Sequence, residues 1–308
     1  MTLRLEQEGV DDGLEEIRAW PGVRRVAKLA SGQRLSQMPA TPRRERVAVT
    51  PDFRIGAPDF ALIAGPCSVE SQTQVTEIAA AVKEAGARML RGGAFKPRTS
   101  PYEFGGLGRR GLEYLAAARA ATGLPIVTEV LHRDELDLVA EYADVLQIGS
   151  RSMYNNALLF AAGRHPAGKP ILLKRAFSAT ITEVLEAAEH ILLGRFQAGL
   201  DEPRLILCER GIRLFNDLLR FSFDVSAIPH LRARTPLPVI ADPSHPAGDR
   251  RYVEPLALAA TAAGADGLIV EVSNYPYQAW CDSAQCLSID EFRRLTDKAK
   301  VIARTVRD

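Results

Sequence analysis

Cys67, Arg91, Lys96, Glu129, Arg151, Lys174, Arg175, Glu209, Arg210, Asp242, His245 and Glu271 each stand at or just after the end of a short apolar run. Two chemistries separate within this set. Arg91, Lys96, Arg98, Arg151, Lys174 and Arg210 are cations whose convergence on one place would be repulsive unless anions neutralise them, so the pattern predicts phosphate or carboxylate ligands. Cys67, His245, Glu271 and a further candidate, Asp282, combine thiolate, imidazole and carboxylate donors. That mixture suits a borderline divalent transition metal better than calcium or magnesium, and a metal so held could act as a Lewis acid on a carbonyl.

Taken singly, these residues say little. Free cysteine is among the most buried residue types, so Cys67 alone reads as core filler. A lone arginine closing a strand usually belongs to a satisfied ion pair, and His245, after Pro243 and Ser244, could simply brace a loop. Cys281 and Cys286 lack the second pair that a zinc half-site needs and are read as incidental. Core packing and surface solvation do not explain the joint placement of so many ionisable groups at run ends. A shared site does.

The elements that must position them are visible as eight apolar runs: 60–64, 89–93, 125–129, 145–148, 171–174, 205–208, 238–241 and 267–271. Each run is continuous rather than alternating, as expected for strands covered on both faces, and every gap has room for a helix. Thr180 with Glu183 and Ser288 with Glu291 fit capping boxes, and Val184, Leu185, Ala188, Ile191 and Leu192 then form one apolar helix face. No Gly-x-Gly-x-x-Gly turn follows the first run, which disfavours a doubly wound open sheet. The α/β pattern therefore predicts a (β/α)8 TIM barrel over 59–308, with its active site at the C-terminal ends of the strands. Residues 1–58 do not share this rhythm. They read as a short N-terminal extension, with a helix over 13–20 and a strand over 23–29, followed by a polar linker.

Composition narrows the function further. The 308 residues are 46% hydrophobic, enough to bury a large core, and a formal net charge of +1 supplies no global field to attract nucleic acid or an anionic membrane. No apolar run approaches the roughly 20 residues needed to cross a bilayer, and the first residues lack the core of a signal peptide. The expectation is a cytoplasmic enzyme of small molecules, with no nucleic-acid or membrane partner.

The residues that carry the chemistry also carry a family resemblance. Ala64-Gly-Pro-Cys-Ser-Val-Glu70, Arg91-Gly-Gly-Ala-Phe-Lys-Pro-Arg-Thr-Ser-Pro101, Leu146-Gln-Ile-Gly-Ser-Arg151, Leu172-Leu-Lys-Arg175, Ile206-Leu-Cys-Glu-Arg-Gly-Ile-Arg213 and Asp242-Pro-Ser-His245 together resemble the 3-deoxy-D-arabino-heptulosonate 7-phosphate (DAHP) synthases. The similar subgroup is the one that includes relatives of 3-deoxy-octulosonate 8-phosphate synthase. Coverage runs from Phe53 to the C-terminus.

The resemblance implies condensation of phosphoenolpyruvate with erythrose 4-phosphate, the first step of the shikimate route to aromatic amino acids. It implies one divalent metal of the manganese, iron, cobalt or zinc class on Cys67, His245, Glu271 and Asp282. Arg91, Lys96, Ser150, Arg151, Lys174 and Arg210 match positions that hold phosphoenolpyruvate. Lys96, Pro97, Arg98 and Thr99 match the aldose phosphate site. Lys96 and Glu129 are the implied proton-handling residues, and a homo-oligomer is expected because barrels of this kind commonly form symmetric assemblies.

The alternatives are an octulosonate synthase, a synthase repurposed in specialised metabolism, and a non-catalytic regulatory barrel. Lys96-Pro-Arg-Thr-Ser-Pro101 argues against the first, which typically has an Asn-Arg-Ser-Ser type segment there, and the retained ligand set argues against the last. Two departures stand out. Relatives usually read Glu-Val-His-Pro after the eighth run, whereas this chain reads Glu271-Val-Ser-Asn-Tyr-Pro-Tyr-Gln-Ala-Trp280. The N-terminus resembles only the last helix and strand of a ferredoxin-like regulatory domain, and half of that β-α-β-β-α-β unit cannot close its sheet. Feedback inhibition by aromatic amino acids through that unit is therefore expected to be absent. Inhibition by tyrosine or phenylalanine that disappears on deleting residues 1–50 would contradict this.

Overall fold

The structure is a computed structural model and describes residues 35–36, 44–98, 100–215 and 218–307. The helix read over 13–20, the strand read over 23–29 and Thr99 lie outside the described residues. An antiparallel hairpin, β1 (Val47–Thr50) and β2 (Phe53–Ile55), precedes the barrel. The eight parallel strands are β3 (Ala61–Gly65), β4 (Met89–Arg91), β5 (Ile126–Glu129), β6 (Val145–Ile148), β7 (Ile171–Lys174), β8 (Leu205–Glu209), β9 (Val239–Ala241) and β10 (Gly267–Glu271). They close in sequence order, with β10 pairing to β3 from Gly267 opposite Ala61 to Glu271 opposite Gly65. The chain folds as a (β/α)8 TIM barrel.

The continuous apolar runs divide by alternate residues between two cores. Leu62, Ile171, Leu173, Leu205, Leu207, Leu268 and Val270 face the helices, while Ile63, Leu172, Ile206 and Ile269 face the barrel axis. Both faces are covered, so the runs are apolar except toward their C-terminal ends, where Thr128, Glu129, Gln147, Lys174, Glu209 and Glu271 stand. Val47, Phe53 and Ile55 of the hairpin join the axial core against Ala61, Met89 and Val145, all at strand beginnings. The hairpin thus seals the N-terminal end of the barrel, and a buried side chain such as Ile55 contributes about 1.5–3 kcal/mol to that seal.

Local signals fix the helices. Helix α1 (Gln72–Glu84) starts where the Ser71 side chain accepts from the Gln74 amide, and α2 (Arg109–Thr122) ends on left-handed Gly123. Helices α3 (Leu136–Tyr142) and α4 (Asn156–Arg164) follow β5 and β6. In α5 (Ile181–Gln197), Thr180 and Glu183 form the expected capping box, and Val184, Leu185, Ala188, Ile191 and Leu192 are buried. After α6 (Ala227–Arg234), α7 (Ser244–Ala247) and α8 (Arg250–Ala262), the last helix, α9 (Ile289–Arg307), begins at the second box. There the Glu291 amide donates to Ser288 Oγ and the Ser288 amide to Glu291 Oε2. No helix among the described residues is long and apolar enough to cross a membrane.

Candidate active site

The site is assembled by backbone that continues strand pairing past the strand ends. Beyond β3 and β4, the Gly93 amide donates to the Cys67 carbonyl (3.2 Å) and the Val69 amide donates to the Gly93 carbonyl (2.9 Å). This ties the cysteine loop to the lysine loop. A Cβ on Gly93 would lie 2.7 Å from both the Cys67 carbonyl oxygen and Lys96 Cδ, so glycine is what allows the two loops to approach. Beyond β10, the Leu287 amide donates to the Glu271 carbonyl and the Ser273 amide to the Leu287 carbonyl, returning the loop so that Asp282 faces Glu271.

Cys67, Glu271 and Asp282 form a metal-type group, each offering one donor atom within 4.8 Å of the others. Asp282 Oδ2 is 3.3 Å from Cys67 Sγ. His245 stands beside this group rather than inside it: its Nε2 is 3.5 Å from Glu271 Oε1, and its Nδ1 is 2.7 Å from Asp242 Oδ2. That contact directs Nε2 toward the group, as the outer carboxylate of a metal-bound histidine does. Burial pushes the imidazole below its ordinary pKa, which favours the neutral form a metal requires. Glu271 Oε1 is buried and accepts no hydrogen bond, with Arg91 Nη2 in ion-pair range at 3.3 Å. A buried carboxylate oxygen left unbonded costs free energy that a cation would recover, so the donor set fits a divalent metal.

Lys96 joins this group to a second one. Its ammonium donates to the Cys67 carbonyl and to Cys67 Sγ, both at 3.0 Å. Burial acts to lower its pKa, but Cys67 and Glu129 outweigh burial and hold it above the ordinary lysine value. Arg91, Lys96, Thr128, Glu129 and Gln147 line an adjoining cleft. Arg91 lies 3.3 Å from Glu271 Oε1 through Nη2, while its Nε and Nη1 are buried without acceptors. Each unmade bond costs roughly 1–3 kcal/mol, which an anion in the cleft would offset. Glu129 accepts from Gln147 Nε2 at 3.3 Å and presses on Gly149, where a Cβ would stand 1.8 Å from Glu129 Oε1.

The other expected residues fall in different places. Lys174 is buried with its ammonium on Asp242. Burial would raise the Asp242 pKa, but His245 and Lys174 hold it well below the carboxylate range. Arg210 is buried, its guanidinium 4.3 Å over the Phe221 ring. Ser150 is half-buried and Arg151 exposed on the turn after β6. Pro97 and Arg98 are half-buried; Arg98 donates to Glu103 Oε2 (2.8 Å) and to Cys281 Sγ (3.0 Å). Arg175 and Glu209, also at strand ends, are spent on each other at 2.7 Å.

Cys281, read as incidental, lies beside the metal-type group, next to Asp282 in the chain. Besides Arg98 it meets Cys67, and the hydrogen bond from Cys67 is the main cause that brings its thiol down to about 6. Its position beside Asp282 was the one signal in the sequence. The loop that departs from the family pattern is pinned at three points: Trp280 packs edge to face on Phe104 (5.0 Å), the Trp280 amide donates to Glu70 Oε1 (2.8 Å), and Arg250 stacks over Tyr277 (3.9 Å). A larger cavity of about 330 Å³ lies at the opposite end of the barrel, but Arg44, Arg46 and Arg204 in its lining are already engaged by carbonyls, Asp59 and Glu202.

Comparison with known proteins places the chain in a family. The model of the DAHP synthetase I family matches residues 37–306. A phospho-2-dehydro-3-deoxyheptonate aldolase of Thermotoga maritima is 48% identical over 252 residues, covering 82% of this chain and 72% of its own length. A 2-dehydro-3-deoxyphosphooctonate aldolase of Syntrophobacter fumaroxidans is 31% identical over 273 residues, covering 82% and 91%. The crystal structure of a DAHP synthase from Thermotoga maritima superposes with a TM-score of 0.83 at 41% identity, over 96% of this chain and 83% of that one. By sequence motif, by fold and by these relatives, the chain belongs to the DAHP synthetase I family.

Proposed function

We propose that this chain is a DAHP synthase that condenses phosphoenolpyruvate with erythrose 4-phosphate, releasing inorganic phosphate, at the entrance to the shikimate pathway. The observation that carries this reading is the position of Lys96, which touches the sulfur of the metal-type group and lines the cleft where Arg91 holds unpaired donors. Two substrates that react with each other need such a junction.

In this reading, phosphoenolpyruvate starts in the cleft on Arg91 and Lys96 and extends beyond it, its phosphate reaching toward Ser150, Arg151, Lys174 and Arg210. The aldose phosphate lies along Lys96, Pro97, Arg98 and Thr99. Cys67, His245, Glu271 and Asp282 would hold one divalent ion of the manganese, iron, cobalt or zinc class, which would supply Lewis-acid polarisation of the aldehyde. C3 of the enolpyruvate bonds to the aldehyde carbon, and Lys96 donates a proton to the developing alkoxide. Glu129 orients and helps deprotonate the water that bonds to C2; the C2–O bond then breaks and phosphate leaves. The cations stabilise charge at each stage.

Phosphate release and enolpyruvate consumption by metal-loaded protein, with erythrose 4-phosphate and arabinose 5-phosphate side by side, test the proposal. Turnover with the four-carbon sugar that a chelator abolishes is expected. Activity confined to arabinose 5-phosphate would instead make the chain an octulosonate synthase, and no turnover with either sugar would sink the catalytic reading.

A further inference from the structure

The two carboxylates of the metal-type group are each held from behind by a residue that no strand-end pattern picks out. Gln285 is 2% exposed, and its Nε2 donates to Glu271 Oε2 at 2.7 Å. Its Oε1 accepts from Arg220 Nη1 at 3.0 Å, and the same Arg220 nitrogen donates to Asp282 Oδ1 at 2.9 Å. One oxygen of each carboxylate is thereby occupied. The other oxygen of each faces inward: Asp282 Oδ2 toward Cys67 Sγ, and Glu271 Oε1, which accepts no hydrogen bond, toward Arg91 Nη2 (3.3 Å) and His245 Nε2 (3.5 Å).

We propose that Gln285 is a positioning residue that selects which oxygen of Glu271, and through Arg220 which oxygen of Asp282, is presented to the metal. The inference rests on the metal reading above. Side-chain chemistry supports it, since the bridge must donate to a carboxylate and accept from a guanidinium at once. An amide does both; glutamate would face Glu271 as a like charge, lysine has no acceptor, and methionine makes neither bond. Outer partners of metal ligands act in this way by restricting ligand rotation before the metal arrives.

The test compares wild type with Gln285→Met, which keeps the length and packing of the side chain while removing both hydrogen bonds. Affinity for Co(II) is measured by competition with a chromophoric chelator, the thiolate-to-cobalt absorption band reports Cys67, and apoprotein unfolding with chelator present reports the fold. The expected result is a Kd for Co(II) raised about 10–100-fold, an apoprotein Tm close to wild type, and an unchanged KM for phosphoenolpyruvate. A Co(II) affinity within about twofold of wild type, with the wild-type absorption band intact, would overturn the inference and leave the metal reading standing. Absence of that band in wild type, with Cys67→Ser binding cobalt equally well, would overturn both. If Gln285→Met fails to fold, Arg220→Met, which starts from a side chain 38% exposed, tests the Asp282 half of the brace: a Kd for Co(II) raised on the same scale supports it, and a wild-type Kd overturns it.

Discussion

Lys96→Ala is expected to lower turnover by about 10²–10⁴-fold while metal content and thermal unfolding stay near wild type. The ammonium stands 3.0 Å from Cys67 Sγ and lines the cleft that holds Arg91 and Glu129, so it can reach an oxygen at the junction of both substrates. Loss of a proton donor appears in kcat, because the donated proton matters only in the transition state; loss of an anion anchor would appear in KM. Steady-state kinetics with both substrates varied separate the two. Near-normal kcat in a folded, metal-loaded variant would remove Lys96 from the chemistry.

Glu209→Leu is expected to destabilise the fold by about 3–5 kcal/mol, toward the lower end because Asp224 remains. Glu209 is fully buried and accepts from Arg175 Nη1 and from the Gly211 amide, both at 2.7 Å. Removing it leaves the Arg175 guanidinium in the core with the half-buried Asp224 at 3.0 Å and the Ala179 carbonyl at 2.9 Å. An uncompensated buried charge costs far more than a pair contributes, which is why deletion of one partner is so damaging. Urea unfolding should show the loss directly, and thermal unfolding should shift down by on the order of 10 °C. A change under about 1 kcal/mol would mean that water already reaches the pair.

These two residues illustrate how far the sequence could be read. Glu209 and Lys96 both follow apolar runs and are equally polar in sequence, yet one turns into a closed ion pair and the other into an open cleft. The strand runs were legible because a strand covered on both faces tolerates only apolar side chains, and observed bounds such as Val145–Ile148 and Ile171–Lys174 coincide with the reading. The hairpin Val47–Ile55 was not separated from the linker, because three buried side chains in nine residues make a faint signal. The surroundings of Cys281 were not legible for a different reason. Its contact Arg98 comes from the loop after β4 and Cys67 from the loop after β3, strands far away in sequence that close beside β10 only in the barrel.

What the sequence determined by itself is the barrel, its capping boxes and the clustering of ionisable residues at the strand ends. These follow from hydrophobic period and from hydrogen bonds between residues three apart, which are properties of neighbouring positions. Only the tertiary structure decided which strand-end charges neutralise each other, how Asp242 is shared between Lys174 and His245, and that Gln285 joins Glu271 to Arg220. Those outcomes depend on the direction in which each side chain leaves a twisted, closed sheet and on loops returning from far along the chain. Both are fixed only when the barrel closes.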